Sequence, residues 1–312
     1  MHPRIAITVG DPRGIGPEIV SKVLQDPPAG PDYLVIGPEE LTSHLPFERI
    51  HVGECAAEVA LNGEEGPVPA PYSKLPAREA GIVTALQIEK AVTLALDDSV
   101  QAIVTGPAQK HALHLAGYSY PGHTEWLGEL AGGVETAMML VAGALRVVLV
   151  TTHIALHDVP ASITTELVVR KGVMTRTALK EWWGIEAPRL AVCALNPHAG
   201  EGGLFGDEDR EILEPAVHEL DAVGPIPADT AFVRALRGEF HAVLAPYHDV
   251  GMTAVKVAGF GKGVNVTLGL PFVRTAPDHG TALDIAGKGI ADAGSMREAV
   301  VTAARFVTGK GR

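Results

Sequence analysis

Cysteine is scarce: 312 residues hold two, Cys55 and Cys193, far apart and without metal-type spacing. This excludes a disulfide scaffold and a thiolate zinc cluster, and it fits a reducing cytoplasm. Long apolar runs are also missing. None approaches the roughly 18 residues of a membrane span, so no membrane partner is expected. The opening "MHPRIAITVGDP" lacks the apolar stretch and cleavage site of a signal peptide. Positive charge is short: 25 Lys and Arg against 37 Asp and Glu give a formal net charge of -12. That argues against nucleic acid as a partner, because phosphate backbones need a surplus of cations. Any phosphorylated small molecule must meet locally concentrated ones. Low-complexity tracts and fixed-period repeats are absent.

What is present is a hydrophobic fraction of 46% in short runs that alternate with helix-like stretches. The spacing predicts strands at 4–9, 33–37, 102–106, 137–142, 146–152, 189–195, 242–246 and 264–269. Several are continuous in Val, Ile and Leu, as strands covered on both faces are. It predicts helices at 17–25, 79–97, 124–131, 165–182, 207–220 and 295–307, the last opened by a capping box from Ser295 to Glu298. "VAGALRVV" reads as a tight antiparallel connection, and 53–81 as irregular. Alternating strands and helices imply an α/β protein with a largely parallel sheet.

Thirteen histidines are available, and three stand apart by position. His153 in "TTHIALHD", His198 in "LNPHAGEGG" and His248 in "APYHDVG" each follow the C-terminal end of a predicted strand, the edge where open α/β sheets bind ligands. Three neutral imidazoles suit one divalent ion with coordination positions left open for substrate; three unrelated loop histidines are the alternative. "GDPRGIGPEI" lies between a strand and a helix, where backbone N–H groups can face an anion or merely turn. His123 and Thr124 in "GHTE" open a helix, as anion ligands or as a simple N-cap. Lys256, Asn265 and Arg274 recur at nine-residue intervals around a strand and could hold a phosphate or carboxylate.

Eight motifs share one order: "GDPRGIGPEI", "TGPAQK", "GHTE", "LNPHAGEGG", "PADT", "YHDVG", "GVNVTLGLPFVRTAPDHGTALDIAG" and "ADAGS". In this they resemble the 4-hydroxythreonine-4-phosphate dehydrogenase family of pyridoxal phosphate biosynthesis, from residue 4 to about 300. The segment "HGTALDIAGKGIAD" also resembles the adenosine-binding loop of isopropylmalate and isocitrate dehydrogenases, and "GIGPE" is similar to the same wider group.

The resemblance implies a two-domain α/β fold of the isocitrate/isopropylmalate dehydrogenase kind, not a Rossmann fold. Residues 1–120 plus 275–312 would form the cofactor side, and 121–274 the metal, substrate and dimerisation domain. It implies a homodimer with shared sites, His153, His198 and His248 as metal ligands with the third supplied by the partner subunit, and Zn, Mg or Co as the ion. His123, Thr124, Lys256, Asn265 and Arg274 match the family's substrate contacts. His279, Gly280, Thr281 and Asp284 would bind NAD, with Asp284 on the adenosine ribose. The implied reaction is oxidation of the C3 hydroxyl of 4-phosphohydroxy-L-threonine by NAD, with decarboxylation to 3-amino-2-oxopropyl phosphate. Lys256 or Asp249 would relay the hydroxyl proton. The alternatives are a dehydrogenase of 4-phospho-D-threonate or 4-phospho-D-erythronate and, from another class, a phosphate acyltransferase-like enzyme. Three positions depart from the family pattern: Arg13 where alanine is usual, Gln109 where histidine or asparagine is usual, and His157 where arginine is expected.

Overall fold

The computed structural model describes residues 2–53, 71–120, 122–259 and 261–309. The chain divides into two compact units, Met1–Glu135 with Leu270–Lys310, and Thr136–Gly269.

The first unit begins with β1 (Arg4–Thr8), α1 (Gly16–Leu24), β2 (Asp32–Gly37), α2 (Glu39–Thr42) and β3 (Glu48–His51). It continues with α3 (Ala77–Leu96), β4 (Ala102–Thr105), α4 (Lys110–Leu115) and α5 (His123–Leu130). The second unit holds β5 (Ala137–Ala142), β6 (Leu145–Leu149), α6 (Val159–Ser162), α7 (Thr165–Trp183), β7 (Leu190–Cys193) and α8 (Glu214–Glu219). After them come β8 (Val223–Ile226), α9 (Ala228–Leu236), β9 (Ala242–Ala245), α10 (His248–Gly259) and β10 (Val264–Leu268). The chain then returns to the first unit with β11 (Val273–Pro277) and α11 (Gly294–Thr308).

In the first unit the strands run β3-β2-β1-β4-β11, all parallel. Ile5, Ile7, Leu34, Ile36 and Ile103 are fully covered, which is why these strands lack polar alternation. In the second unit the order is β10-β5-β6-β9-β7-β8. The β5–β6 and β10–β5 pairs are antiparallel and the rest parallel. The antiparallel connection expected at "VAGALRVV" is therefore present. α7 has conventional ends: Thr164 Oγ1 accepts the Leu167 N–H at 3.2 Å, and Gly184 closes the helix with φ 65°.

Several expectations need correction. No capping box opens α11: Ala293 is the N-cap, and Ser295 Oγ donates instead to Asp278 Oδ1 at 2.8 Å. The hydroxyl is thus engaged by a residue 17 positions back in the chain. The span 53–81 is not irregular to its end, since α3 starts at Ala77; residues 54–70 lie outside the described set, and Cys55 with them. Lys256 and Arg274 do flank the strand that holds Asn265: they sit on α10 and β11, either side of β10. "HDVGMTAVKVAG" is a helix without a helix signal in the sequence, because its glycines and valines weaken the propensity, although Gly251 and Val255 turn inward. Among the described residues no helix is long and apolar enough to cross a membrane.

Candidate active site

Strands β6, β9 and β7 are parallel neighbours, so their C-terminal ends share one edge. His153, His248 and His198 follow them in that order. The His153 and His248 rings lie 5.8 Å apart between centroids. Asp249 Oδ1 lies 3.5 Å from His248 Nδ1, on an exposed side chain. His198 does not join them; its ring packs 6.2 Å from Phe205. Among the described residues no three His, Cys, Asp or Glu side chains are placed to hold a metal ion. One chain thus assembles two of the three imidazoles.

The loop carrying His198 is tightly wound. Residues 198 to 202 all have positive φ, from 44° to 79°. Asp209, 1% exposed, fixes the base of the loop by accepting the N–H groups of Leu195 and Asn196 at 2.8 and 2.9 Å. Glu208 accepts from the Asn196 amide at 2.7 Å. The acidic burst after the glycines is therefore an anchor. Exposed His198 lines a hollow with Asn196, Asp229 and Tyr247. Two adjacent imidazoles fit a divalent ion that takes nitrogen donors, provided a further ligand arrives from outside this pair.

In the first unit Arg274 is 1% exposed, and its Nη2 donates to Thr105 Oγ1 at 2.6 Å. His123 and Thr124 open α5 behind Gly122, which is the N-cap, so Thr124 is not the cap. The His123 ring stacks on Trp126 at 6.4 Å, and its buried Nε2 has no hydrogen-bond partner. Burial, then the charges of Arg274 and Lys110, push the His123 pKa down to about 3. Burial lowers Arg274 to about 10, with Glu125 opposing, so it remains a cation at neutral pH. A buried cation beside a neutral ring with an unused nitrogen is chemically suited to an anion such as a phosphate.

The histidine carries a sign that can be measured. An unfolded chain protonates His123 as pH falls through 6.5, while the folded chain resists until about 3. Over that window the unfolded state binds more protons, so stability falls with falling pH. Urea midpoints should therefore drop less for His123→Gln than for the unsubstituted protein between these two pH values. Equal drops would mean the ring is solvated.

Asn265 in β10 has a buried Oδ1 without a hydrogen-bond partner, while Lys256 is exposed on α10. In the first unit, His279 Nε2 is also buried and unpartnered, Thr281 is buried, Gly280 has open space beside it and Asp284 is exposed. A free imidazole nitrogen, an open backbone and an exposed carboxylate fit the adenine and ribose of a dinucleotide. Two of the departures touch. Arg13 forks onto Asp11 at 3.1 and 2.8 Å and donates to Gln109 Oε1 at 2.6 Å. Asp11, fully buried, gives no signal in the sequence because an acid after a strand is a common turn residue. His157 is exposed, its Nε2 3.2 Å from Asp158.

The family described as "Pyridoxal phosphate biosynthetic protein PdxA" matches residues 42–303. A protein of Caulobacter vibrioides named 4-hydroxythreonine-4-phosphate dehydrogenase is 43% identical over 98% of both chains. One of Cupriavidus necator named D-threonate 4-phosphate dehydrogenase is 45% identical over the same shares. Among solved structures, a 4-hydroxythreonine-4-phosphate dehydrogenase of Klebsiella pneumoniae superposes with a TM-score of 0.81 at 36% identity, covering 98% of each chain. With the match spanning most of the chain and these relatives covering nearly all of it, the chain belongs to the PdxA family.

Proposed function

We propose that this protein is an NAD-dependent, divalent-metal-dependent dehydrogenase. In this reading it oxidises the C3 hydroxyl of 4-phosphohydroxy-L-threonine, with decarboxylation to 3-amino-2-oxopropyl phosphate. The observation that carries the phosphorylated substrate is the buried Arg274 beside neutral His123 and Thr124, in an otherwise acidic chain. Arg274, His123 and Thr124 bind the phosphate, and Asn265 and Lys256 take the substrate's other polar groups. The resemblance implies His248 as the ligand shared across the dimer; because the His153 and His248 rings lie together in one chain, our reading instead has these two as ligands of one site and His198 of a second copy as the third, which makes the active form a homodimer. A divalent ion there supplies Lewis-acid polarisation of the C3 oxygen, and NAD accepts the hydride. Asp249, engaged with His248, orients that ring. This leaves Lys256 as the group that takes the hydroxyl proton.

His279, Gly280 and Thr281 frame the adenosine side of NAD, with the Asp284 carboxylate on the ribose hydroxyls. A carboxylate there repels the additional phosphate of NADP. NAD should therefore exceed NADP in kcat/KM, and Asp284→Ala should narrow the gap. An unchanged ratio would remove Asp284 from cofactor choice.

The second reading is a dehydrogenase of 4-phospho-D-threonate or 4-phospho-D-erythronate. The observation favouring it is the Arg13–Gln109 contact, which joins two departures from the family pattern in one network. The relative in Cupriavidus necator bears such a name. NADH formation with each phosphorylated compound, in the presence of zinc, magnesium or cobalt, separates the readings. Turnover of phosphohydroxythreonine alone supports the first, and of phosphothreonate alone the second. No NADH formation with any of them would reject both.

A further inference from the structure

Glu18 is a carboxylate that the mechanism does not use, and it is 3% exposed. A buried carboxylate needs donors, and its donors here come from far along the chain. The Ala291 N–H reaches Oε1 at 2.8 Å and the Gly289 N–H reaches Oε2 at 3.3 Å. One turn on, Lys22 Nζ donates to Glu18 Oε1 at 2.8 Å. It also donates to the carbonyls of Gly289 at 2.9 Å and Ala291 at 2.7 Å. An ammonium has three N–H groups, and these three acceptors use them all.

The other end of the same segment is also docked. Ile15 N–H donates to the Thr281 carbonyl at 2.9 Å. A Cβ on Gly14 would stand 2.7 Å from that oxygen, so only glycine permits the approach. Between these anchors, residues 282 to 288 form no helix or strand, and Ala282 and Gly287 have positive φ. Asp284 stands exposed in the middle. Its own backbone bonds are two turn contacts, Ile285 N–H to the Ala282 carbonyl at 3.1 Å and Lys288 N–H to the Ile285 carbonyl at 3.2 Å, so its placement leans on contacts from outside. Both sets of contacts come from one short stretch, "GIGPEIVSK".

We infer that Glu18 and Lys22 are positioning residues for the nucleotide: by clamping the backbone at Gly289 and Ala291 they hold segment 281–291 in its NAD-binding form. This rests on the reading of that segment as the adenosine site. It gives a physical reason for "GIGPE" and "HGTALDIAG" to occur together, because the first is the bracket that shapes the second. Glu18→Gln removes the charge from the clamp and Lys22→Met removes its three donors.

The test uses the full-length protein. NAD affinity is measured by calorimetry, amide hydrogen exchange is followed across 281–291, and KM is determined for NAD and for the phosphorylated substrate. Both variants should weaken NAD binding roughly tenfold, the scale of removing one charge-assisted hydrogen bond. Exchange across the segment should quicken, with substrate KM and kcat at saturating NAD nearly unchanged. Lys22→Arg, which keeps the donors, should recover most of the affinity. Unchanged exchange and unchanged NAD affinity overturn the clamp, while an effect of Asp284→Ala in the same assay would leave the adenosine reading standing. Faster exchange with unchanged NAD affinity, and no effect of Asp284→Ala, overturns the adenosine reading and the inference with it. Equal rises in both KM values would reveal a general loss of structure and also reject the inference.

Discussion

Replacing His198 with alanine should strip the metal and abolish turnover, and mixing that variant with equally inactive His248→Ala should bring activity back. His153 and His248 are neighbours within one chain, whereas among the described residues His198 does not complete a three-ligand group with them. If His198 completes the pair of a second copy, a mixed dimer of His198→Ala and His248→Ala contains one site with all three rings intact. The pair His153→Ala and His248→Ala behaves differently. Both lesions fall in the same half of the ligand set, so every site in their mixed dimers stays defective. Loss of His198 should lower metal affinity by more than about 10²-fold, since changes merely around such ligands reach that range. Elemental analysis reads the first effect and recovery of NADH formation the second. Full metal content in His198→Ala would discard the ligand assignment. Recovery from the His153 and His248 mixture would discard the division between subunits.

Arg274→Met should raise the substrate KM roughly 10³-fold, the scale of breaking a buried charge-assisted pair. The KM for NAD should stay within about twofold, because the guanidinium serves the substrate's phosphate and not the nucleotide. The side chain is fully enclosed, so a simple truncation would also open a cavity. Methionine fills much of the space and carries no charge. Loss of the bond to Thr105 and of the charge facing Glu125 should lower the melting temperature, so substrate binding is compared at a temperature where the variant stays folded. Weak substrate binding in an intact fold separates a recognition role from a structural one. An unchanged substrate KM would remove Arg274 from the site.

Some of this is readable in the sequence, for definite reasons. Strands β1, β2, β4 and β9 announce themselves because burial on both faces leaves uninterrupted aliphatic runs. β3, "ERIH", and β8, "VGPI", do not, since they lie at the ends of their sheets with mostly half-covered or exposed residues. The placement of His153, His198 and His248 beyond strand ends is legible because strand ends are local events. Which two rings meet is not, because it depends on the left-handed run at 198–202, where His198, Ala199 and Glu201 adopt a conformation their side chains disfavour. The link between Arg13 and Gln109, 96 positions apart, and the grip of Glu18 on Ala291 are products of strand order, to which no local pattern points.

The first unit is assembled from both ends of the sequence, and this sets an order of events during synthesis. Its sheet stays incomplete until β11 emerges, because β4 pairs with β11 on the side away from β1. Until then Ile103 and Val104 lie in a strand with an open edge, the type of surface that recruits other chains. The second unit, drawn from one continuous stretch, has all its strands available earlier. The part made first is therefore the part finished last. A nascent chain held at about residue 300, with β10 outside the ribosome and β11 still within it, should protect the β5–β10 region from protease while 4–105 remains cleavable, and release of the finished chain should close both.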